Sequence, residues 1–472
     1  MAGNTATKQS GGALEKMFHM KEIGTNTKTE VMAGFTTFMT MAYILAVNPS
    51  ILSNAGMDPT AILIATCLAS CFGTLCMAFM ANYPFALAPG MGLNAFFAFT
   101  VCGNMGYSWQ VALAAVFIEG VVFIILSLTN VREAIFNAIP STLKKGVSAG
   151  IGLFVAFIGL QDGKLVANSD STFVTYVDFR ANWHQAGSFA LLALIGFIII
   201  SILYIKGITG AVLIGIVVTW VIGMIFQACG IYVPDPANGF YSVFPSGVFT
   251  DFSKFGNTFG QCFKGFATMN DKGVFNFIVV VFSFLFVDIF DTIGTLVGCS
   301  EKAGFLDKDG KLPRIKGALL ADACATSVGA VLGTSTTTTY VESASGVGAG
   351  GRTGLTSVTT GLMFLVAMFF SPIFTAIPGF ATSPALVFVG FLMLSSILKI
   401  DFNDYREAIP AYMAVIAMPM FYSISEGISI GIISYVVINT ICNCFMKEKK
   451  KVTVLMYILA VLFVLKYIFI PR

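Results

Sequence analysis

The chain has 472 residues, of which 56% are apolar and 11% are charged. A soluble protein averages about 25% charged residues, so this composition excludes a soluble globular enzyme, a disordered chain and a nucleic-acid-binding protein. A membrane helix needs about 20 apolar residues, so the length allows at most about 15 spans joined by short loops, with no large soluble domain.

Apolar runs recur from end to end and predict an all-α polytopic membrane protein. Residues 1–29 are polar and lack the apolar core of a signal peptide, so we expect a cytoplasmic tail there. A basic linker and another apolar run form 446–472, and the sequence leaves open whether 452–470 spans the membrane or lies at its interface. Fourteen spans are predicted between these ends, at 31–52, 60–81, 85–101, 109–128, 146–161, 187–205, 209–228, 275–298, 315–332, 335–350, 355–371, 384–398, 409–423 and 427–445.

Lysine and arginine are distributed unevenly among the predicted loops. If the N-terminus is cytoplasmic and the fourteen spans alternate, the cytoplasmic segments carry 20 of these residues and the outer loops carry 5. Because positive charge marks the cytoplasmic side of a membrane protein, this split favours a cytoplasmic N-terminus.

Two of the fourteen segments are poor helix formers. Segment three has Pro84, Pro89 and Gly90 close together, and segment ten has the threonine run 336–339 followed by a glycine-rich stretch. Non-helical backbone at membrane depth occurs only where it is buried in protein or lines a cavity. Paired breaks at matching places in two halves point to a transporter site, so the layout predicts an inverted repeat of seven plus seven segments.

Only five charged residues lie away from the ends of the predicted spans. A charge at the bilayer centre costs at least about 2.5–3.5 kcal/mol, so each such residue requires a reason. A carboxyl in this low-dielectric setting can hold a proton near neutral pH, as a proton-coupled transporter requires. All five are acidic: Glu119, Asp288, Asp291, Asp322 and Glu342.

The local sequence divides these acids by expected role. A structural role is favoured for Glu119, on an apolar helix, and for Asp322, on a helix of small residues. Asp288 and Asp291 are three residues apart and share a helix face, so we expect at least one to face a polar cavity. Glu342 lies at the break in segment ten, where a site role is favoured.

Uncharged residues at the breaks are also candidates. Asn94 follows the break in segment three and could bond either loose backbone or a ligand. Phe85, Phe96 and Tyr340 flank the breaks and could stack on a flat ring, although packing is the default role with 46 Phe in the chain.

The sequence lacks the motifs of other classes of membrane protein. There is no P-loop for ATP-driven transport and no HExxH motif for a metalloprotease, and the two His, His19 and His184, lie outside the spans. The 10 Cys form no CxxC pair, so neither a metal site nor a cofactor is expected. Asp288 and Asp291 share one helix, unlike the two-segment acid pair of an intramembrane protease. Secondary active transport is favoured, and a passive channel stays open.

Four motifs carry a family resemblance: EVMAGFTTFMTMAYILAVNP at 30–49, ALAPGMGLNAFFAFTV at 86–101, FVDIFDTIGTLVG at 286–298 and TSTTTTYVESASGVGAGGRTGL at 334–355. From about 15 to 445 the chain resembles the bacterial hypoxanthine/guanine/adenine permease branch of the nucleobase–cation symporter-2 family, which includes xanthine and uracil permeases and nucleobase/ascorbate transporters. ESASG replaces the Asn-x-Gly pattern that is more usual in the wider group after the acid of segment ten.

The resemblance implies a uracil-permease-like fold with short strands in segments three and ten. It also implies a transporter domain at 30–445 that comprises a core, 30–130 with 275–372, and a gate, 140–230 with 384–445. The implied substrate-binding residues are Asn94, Asp291, Thr292, Glu342 and Ser343, and the implied proton-coupling candidates are Asp291, Glu342 and Asp288.

The resemblance implies secondary uptake of a purine nucleobase with H+ across the bacterial cytoplasmic membrane. The expected partners are the nucleobase and the lipid bilayer, with no nucleic acid. Transport of another small solute or an anion on the same fold is the alternative. The preferred purine, the coupling ion and the existence of a homodimer stay open.

Overall fold

The computed structural model describes residues 13–129, 139–169, 172–180, 182–235, 240–245, 247–268, 273–305 and 312–469. Within these ranges, ten helices are long and apolar enough to cross a membrane. Segments three and ten, which contain strands, and segment thirteen, whose helix has 16 residues, are not among these ten.

The first half of the chain contains the seven predicted segments in order. Two short helices, Ala13–Met17 and Met20–Ile23, precede them, and a hairpin of strands β2 (Val166–Ser169) and β3 (Phe173–Tyr176) follows segment five. The segments are one, Thr27–Met41 and Ile44–Ser53; two, Pro59–Met80; three, strand β1 (Leu87–Pro89), helix Met91–Ala95 and π-helix Phe96–Asn104; four, Trp109–Leu128; five, Ser141–Asp162; six, π-helix Trp183–Gly187 and helix Ser188–Ile205; and seven, Ala211–Ala228.

The second half follows a long loop that carries a 3₁₀-helix, Phe252–Asn257, and a helix, Gln261–Thr268. Its segments are eight, Val274–Ala303; nine, Ile315–Leu332; ten, strand β4 (Thr337–Thr339) and helix Ser343–Gly348; eleven, Gly354–Ala367 continued by Met368–Phe370 and Ser371–Thr375; twelve, Gly379–Leu394 continued by Ser395–Lys399; thirteen, Tyr405–Met420; and fourteen, Ile424–Phe445. A final helix, Val454–Phe469, follows the basic linker.

Helix packing falls into two main groups. In one group segment two packs against nine and eleven, and segment four packs against nine; in the other, segment five packs against twelve and thirteen, and thirteen packs against fourteen. Small residues allow the closest approach: a Cβ atom built on Gly152 of segment five would lie 2.6 Å from the carbonyl oxygen of Gly390 in segment twelve. Glycine at both positions therefore sets the distance between these helices.

A buried carboxylate joins segment one to segment eleven. Glu30 accepts hydrogen bonds from the backbone N–H groups of Arg352 and Thr353, at 3.0 and 3.1 Å, and from the hydroxyl of Thr356, at 2.6 Å. These N–H groups lie at the start of segment eleven, where a helix leaves its first donors unpaired. Glu30 lies just before the first predicted span, at 31–52, and so is not among the predicted membrane acids.

The final helix runs beside segment fourteen in the opposite direction. Near its start, the hydroxyl of Tyr457 lies 2.8 Å from that of Thr440, and near its end Tyr467 donates a hydrogen bond to Glu426. Segment fourteen extends from Ile424 to Phe445, so these contacts lie close to both of its ends. This arrangement favours a fifteenth span at 452–470 over a helix that lies flat at the interface.

The predicted fold class is confirmed. The protein is helical and polytopic, and short strands occur in segments three and ten as predicted. Each strand has only three residues, and the helical part of segment three winds as a π-helix from Phe96 to Asn104, which the sequence did not predict. The start of segment five, predicted at 146, lies at Ser141.

Candidate functional site

The two broken segments meet at their strands. β1 pairs with β4 in antiparallel fashion, with Ala88 opposite Thr338, and both strands are fully buried. The pairing is extended at each end, since Tyr340 donates its N–H to Ala86 and Gly90 donates its N–H to Thr336. Proline in β1 and the threonine run in β4 disfavour helix, so the chain is extended at this depth and its backbone groups need partners from elsewhere.

Side chains from neighbouring helices satisfy the outer edges of this small sheet. Thr74 of segment two accepts from the N–H of Leu87 at 2.9 Å and donates to its carbonyl at 3.2 Å. On the other edge, Thr326 of segment nine donates to the carbonyl of Thr337 at 3.0 Å, and Asp322 accepts from the N–H of Thr339 at 3.2 Å. Asp322 therefore has the structural contact that its helix of small residues predicted.

The backbone that leads into each strand is also held by side chains. Glu119 of segment four accepts from the hydroxyl of Thr336 at 2.8 Å, just before β4. In segment eleven, Ser357 donates to the carbonyls of Tyr83 and Phe85, just before β1. Segments four and eleven are seven apart, as are segments two and nine, so the supporting contacts are matched between the two halves.

Asn94 and Ser343 cross between the two breaks. Ser335, before β4, donates to the side-chain oxygen of Asn94, which follows β1. Ser343, which follows β4, accepts from the N–H of Ala86 at 3.0 Å, just before β1. Both predicted site residues are buried and already bonded within the protein, so in this structure they hold the two breaks together.

The two remaining carboxyl groups at the breaks are partly exposed. Glu342 lies just before the short helix of segment ten and accepts a hydrogen bond at 2.7 Å from the phenol of Tyr43, which lies at the break in segment one. Asp291 lies near the other break, since a Cβ atom built on Gly90 would be 3.3 Å from its Oδ2. The charge of Asp291 interacts with that of Asp322 and, more weakly, with that of Glu342.

A second group of acids is fully buried. The hydroxyl of Thr292 lies 2.8 Å from Asp288 Oδ1, 2.9 Å from Asp322 Oδ2 and 2.7 Å from the hydroxyl of Thr338. All four side chains are buried. The structure therefore leaves Asp291 and Glu342 partly exposed and buries the other three membrane acids, of which Asp288 and Asp322 form a pair around Thr292.

The three aromatic candidates have different surroundings. Phe85 stacks on Tyr83, with ring centroids 5.3 Å apart, and Phe96 packs edge-on against Phe284 at 4.9 Å. Tyr340 donates its phenol to the carbonyl of Pro89 at 2.5 Å, across the two breaks. Phe85 and Phe96 thus pack within the aromatic core.

Sequence reasoning missed Tyr43. Its contact with Glu342 joins residues 299 positions apart, and nothing in an apolar first segment indicates such a partner. A tyrosine near the middle of a predicted span was the only available signal. Among the described residues, no three His, Cys, Asp or Glu side chains are placed to bind a metal ion.

Two broken segments that meet inside a helical bundle, with partly exposed carboxyl groups between them, define a polytopic membrane transporter rather than an enzyme. A sequence profile of the Permease family, which includes xanthine and uracil permeases, matches residues 28–430. The chain belongs to this family.

Named relatives are similar over nearly the whole chain. The guanine/hypoxanthine permease PbuO of Bacillus subtilis is 45% identical, and the aligned region covers 90% of this chain and 94% of PbuO. The adenine permease AdeP of Escherichia coli is 41% identical, and the aligned region covers 100% of this chain and 99% of AdeP.

A solved structure has the same fold. The transmembrane domain of the cyanobacterial bicarbonate transporter BicA superposes with a TM-score of 0.61 and 13% identity, over 84% of this chain and 97% of that one. At this identity the likeness shows the architecture alone.

Proposed function

We propose that the protein takes up purine nucleobases by secondary active transport. The observation that carries the proposal is the pair of partly exposed carboxyl groups, Asp291 and Glu342, where the two broken segments meet. A purine is flat and neutral and presents ring N–H donors, and a carboxylate accepts such hydrogen bonds strongly. Relatives named as guanine/hypoxanthine and adenine permeases support this choice of substrate.

Each site residue has a proposed part. Asp291 and Glu342 bind the ring edges, and Tyr43 fixes one oxygen of Glu342 so that the other can face the substrate. Asn94 and Ser343 complete the site by holding the strands in place around it. Thr292 acts beside Asp291 from within the protein, because its hydroxyl already contacts three protein groups.

Transport would combine proton binding with relative movement of two units. The core, 30–130 with 275–372, carries both breaks, and the gate, 140–230 with 384–445, packs around segments five and twelve. Rocking of core against gate would open the site to each side in turn. Asp291, Glu342 and Asp288 are the candidates for the coupled proton, since a buried carboxyl can be neutral at physiological pH.

An anion carrier is the second candidate, because a bicarbonate transporter has the same architecture. The charge of the site argues against it. An anion would meet two carboxylates at Asp291 and Glu342, and like charges in a low-dielectric site repel strongly.

Uptake of radiolabelled bases by cells that lack their own purine transport tests the proposal. We expect accumulation of at least one of adenine, hypoxanthine and guanine, little accumulation of uracil, and loss of accumulation when an uncoupler is added. Uptake that the uncoupler does not change would indicate a passive channel. No purine uptake by protein that reaches the membrane would refute the proposed substrate.

A further inference from the structure

The contacts of Thr292 indicate how many protons the buried acids beside the strands carry. Thr292 has three oxygen atoms within 2.9 Å of its hydroxyl: Asp288 Oδ1, Asp322 Oδ2 and Thr338 Oγ1. A hydroxyl donates one hydrogen bond and accepts at most two. For all three contacts to be hydrogen bonds, at least two of the three neighbours must donate to Thr292.

Only one of these neighbours is a donor by its nature. The hydroxyl of Thr338 can donate, but an ionised carboxylate can only accept. The second donor must therefore be a carboxyl group that carries a proton. With both Asp288 and Asp322 ionised, two buried negative charges would face a single hydroxyl, an arrangement of high energy.

We infer that Asp288 and Asp322 share one proton across the hydroxyl of Thr292 and that this is the proton transported with the substrate. The inference rests on the proposed function and narrows its proton site. Of the three candidates for the coupled proton it selects Asp288, pairs it with Asp322, and leaves Asp291 and Glu342 to bind the substrate. Substrate and proton then bind at neighbouring but separate groups.

The buried pair is linked to the substrate site through two short routes. Thr292 follows Asp291 in segment eight. Thr338 belongs to β4, and Asp322 also accepts from the N–H of Thr339, three residues before Glu342. Loss of the proton would leave two carboxylates repelling each other against β4, so protonation would decide how firmly this strand is held. Other titratable groups on the elements around the pair include Glu119, Asp291, Cys299, Cys324, Tyr340 and Glu342.

Asparagine variants test the assignment, because an amide carries no charge and presents an oxygen acceptor beside an N–H donor group, which mimics a protonated carboxyl. Asp288→Asn and Asp322→Asn are reconstituted in liposomes and assayed in two ways with a labelled purine that the wild type transports. Counterflow without ion gradients measures exchange, and a pH gradient measures proton-driven accumulation. We expect both variants to keep wild-type counterflow while accumulation falls to the level seen without a gradient.

Thr292 supplies the matched pair of controls. Thr292→Ser keeps the hydroxyl and should retain gradient-driven accumulation, whereas Thr292→Val has the same shape without the hydroxyl and should lose gradient-driven accumulation. If an asparagine variant does not fold, this comparison decides the question alone.

Two results would overturn the proton assignment. One is full gradient-driven accumulation by both asparagine variants and by Thr292→Val. The other is loss of counterflow in parallel with accumulation, which would assign the pair to the framework of the site. A wild-type protein that accumulates no purine would instead refute the proposed function, so the two failures are distinguishable.

Discussion

At the level of single residues, Gly90 allows the two broken segments to approach each other closely. A Cβ atom at this position would lie 2.9 Å from Thr338 Cγ2 and 3.3 Å from Asp291 Oδ2. The first distance is shorter than real side chains tolerate, and the strand that carries Thr338 is fixed on both edges. An added methyl group would therefore displace either β4 or the carboxyl group of Asp291.

We expect Gly90→Ala to weaken transport by raising the KM for the purine, because overpacking in a fixed interior costs about 1–3 kcal/mol. Gly348→Ala is the matched control, since a Cβ atom at Gly348 would have no neighbour within 4 Å. Initial rates of uptake at several substrate concentrations give KM for both variants. Equal KM values for the two variants and the wild type would show that Gly90 does not set the position of Asp291.

The scarcity of charge singles out the candidate acids residue by residue. Asp291 and Glu342 stood out because a carboxyl within an apolar segment is costly, and the breaks indicated where they would meet. The buried pairing of Asp288 with Asp322 was not predictable, because segments eight and nine have no pattern that fixes their relative rotation. Tyr43 was missed for the same reason.

At the level of elements, two three-residue strands persist inside a helical bundle because helices complete their hydrogen bonds. An isolated pair of strands is marginal even in water, and inside a membrane each unpaired backbone group costs several kcal/mol. Thr74 bonds both the N–H and the carbonyl of Leu87, so one side chain serves the outer edge of β1 at that residue.

Thr74→Val should lower the stability of the protein by about 1–3 kcal/mol, since it leaves the N–H of Leu87 buried without its partner. Thr359→Val is the control, because the hydroxyl of Thr359 bonds only to Leu355 of its own helix turn in the described contacts. Thermal unfolding in detergent measures both variants. An unchanged melting temperature for Thr74→Val would mean that the sheet edge does not depend on this side chain.

The existence of both strands was predictable, and their pairing was not. Proline with glycine in segment three and four consecutive threonines in segment ten disfavour helix from local sequence alone. The register that places Ala88 opposite Thr338 depends on the fit between two halves of the molecule. The family resemblance supplied the expectation that the strands meet.

At the scale of the whole molecule, the basic linker is docked on the predicted cytoplasmic side. Lys450 Nζ forms ion pairs with Asp404 and Glu407, and its backbone forms two hydrogen bonds with Asn443. The hydrogen bond from Lys450 holds the pKa of Asp404 below its ordinary value. Burial would lower the pKa of Lys450, but the hydrogen bonds to Asp404 and Glu407 outweigh it and the pKa is raised. The linker therefore anchors the final helix.

The stability that the docked linker contributes should depend on pH. Because the pKa of Asp404 is lowered by folding, its contribution to stability is complete above the ordinary carboxyl pKa of about 4 and is lost as the pH falls through the lower, folded value. Asp404→Asn should therefore lower the melting temperature at pH 7 and lower it less at about pH 3. Melting curves of both proteins at the two pH values provide the check, and an equal difference at both would contradict the ion pair.

The order of the segments was predictable from the sequence, whereas the course of the final helix was not. The order of the segments follows from hydropathy, because each span needs its own apolar run. The course of the final helix could not be settled, since 452–470 is apolar enough for a span or an interface and only its contacts with segment fourteen favour a span. The inverted repeat, the core and gate units and the cytoplasmic N-terminus stay predictions.

Uptake of the preferred labelled purine by Asp291→Asn and Glu342→Gln tests the central claim most directly. Both substitutions preserve size and remove one charge, so the protein should still reach the membrane. We predict that each variant loses purine accumulation, while Asp178→Asn, on an exposed loop, accumulates as the wild type does. Wild-type uptake by both site variants at equal membrane abundance would contradict the assignment of these two carboxyl groups to the substrate.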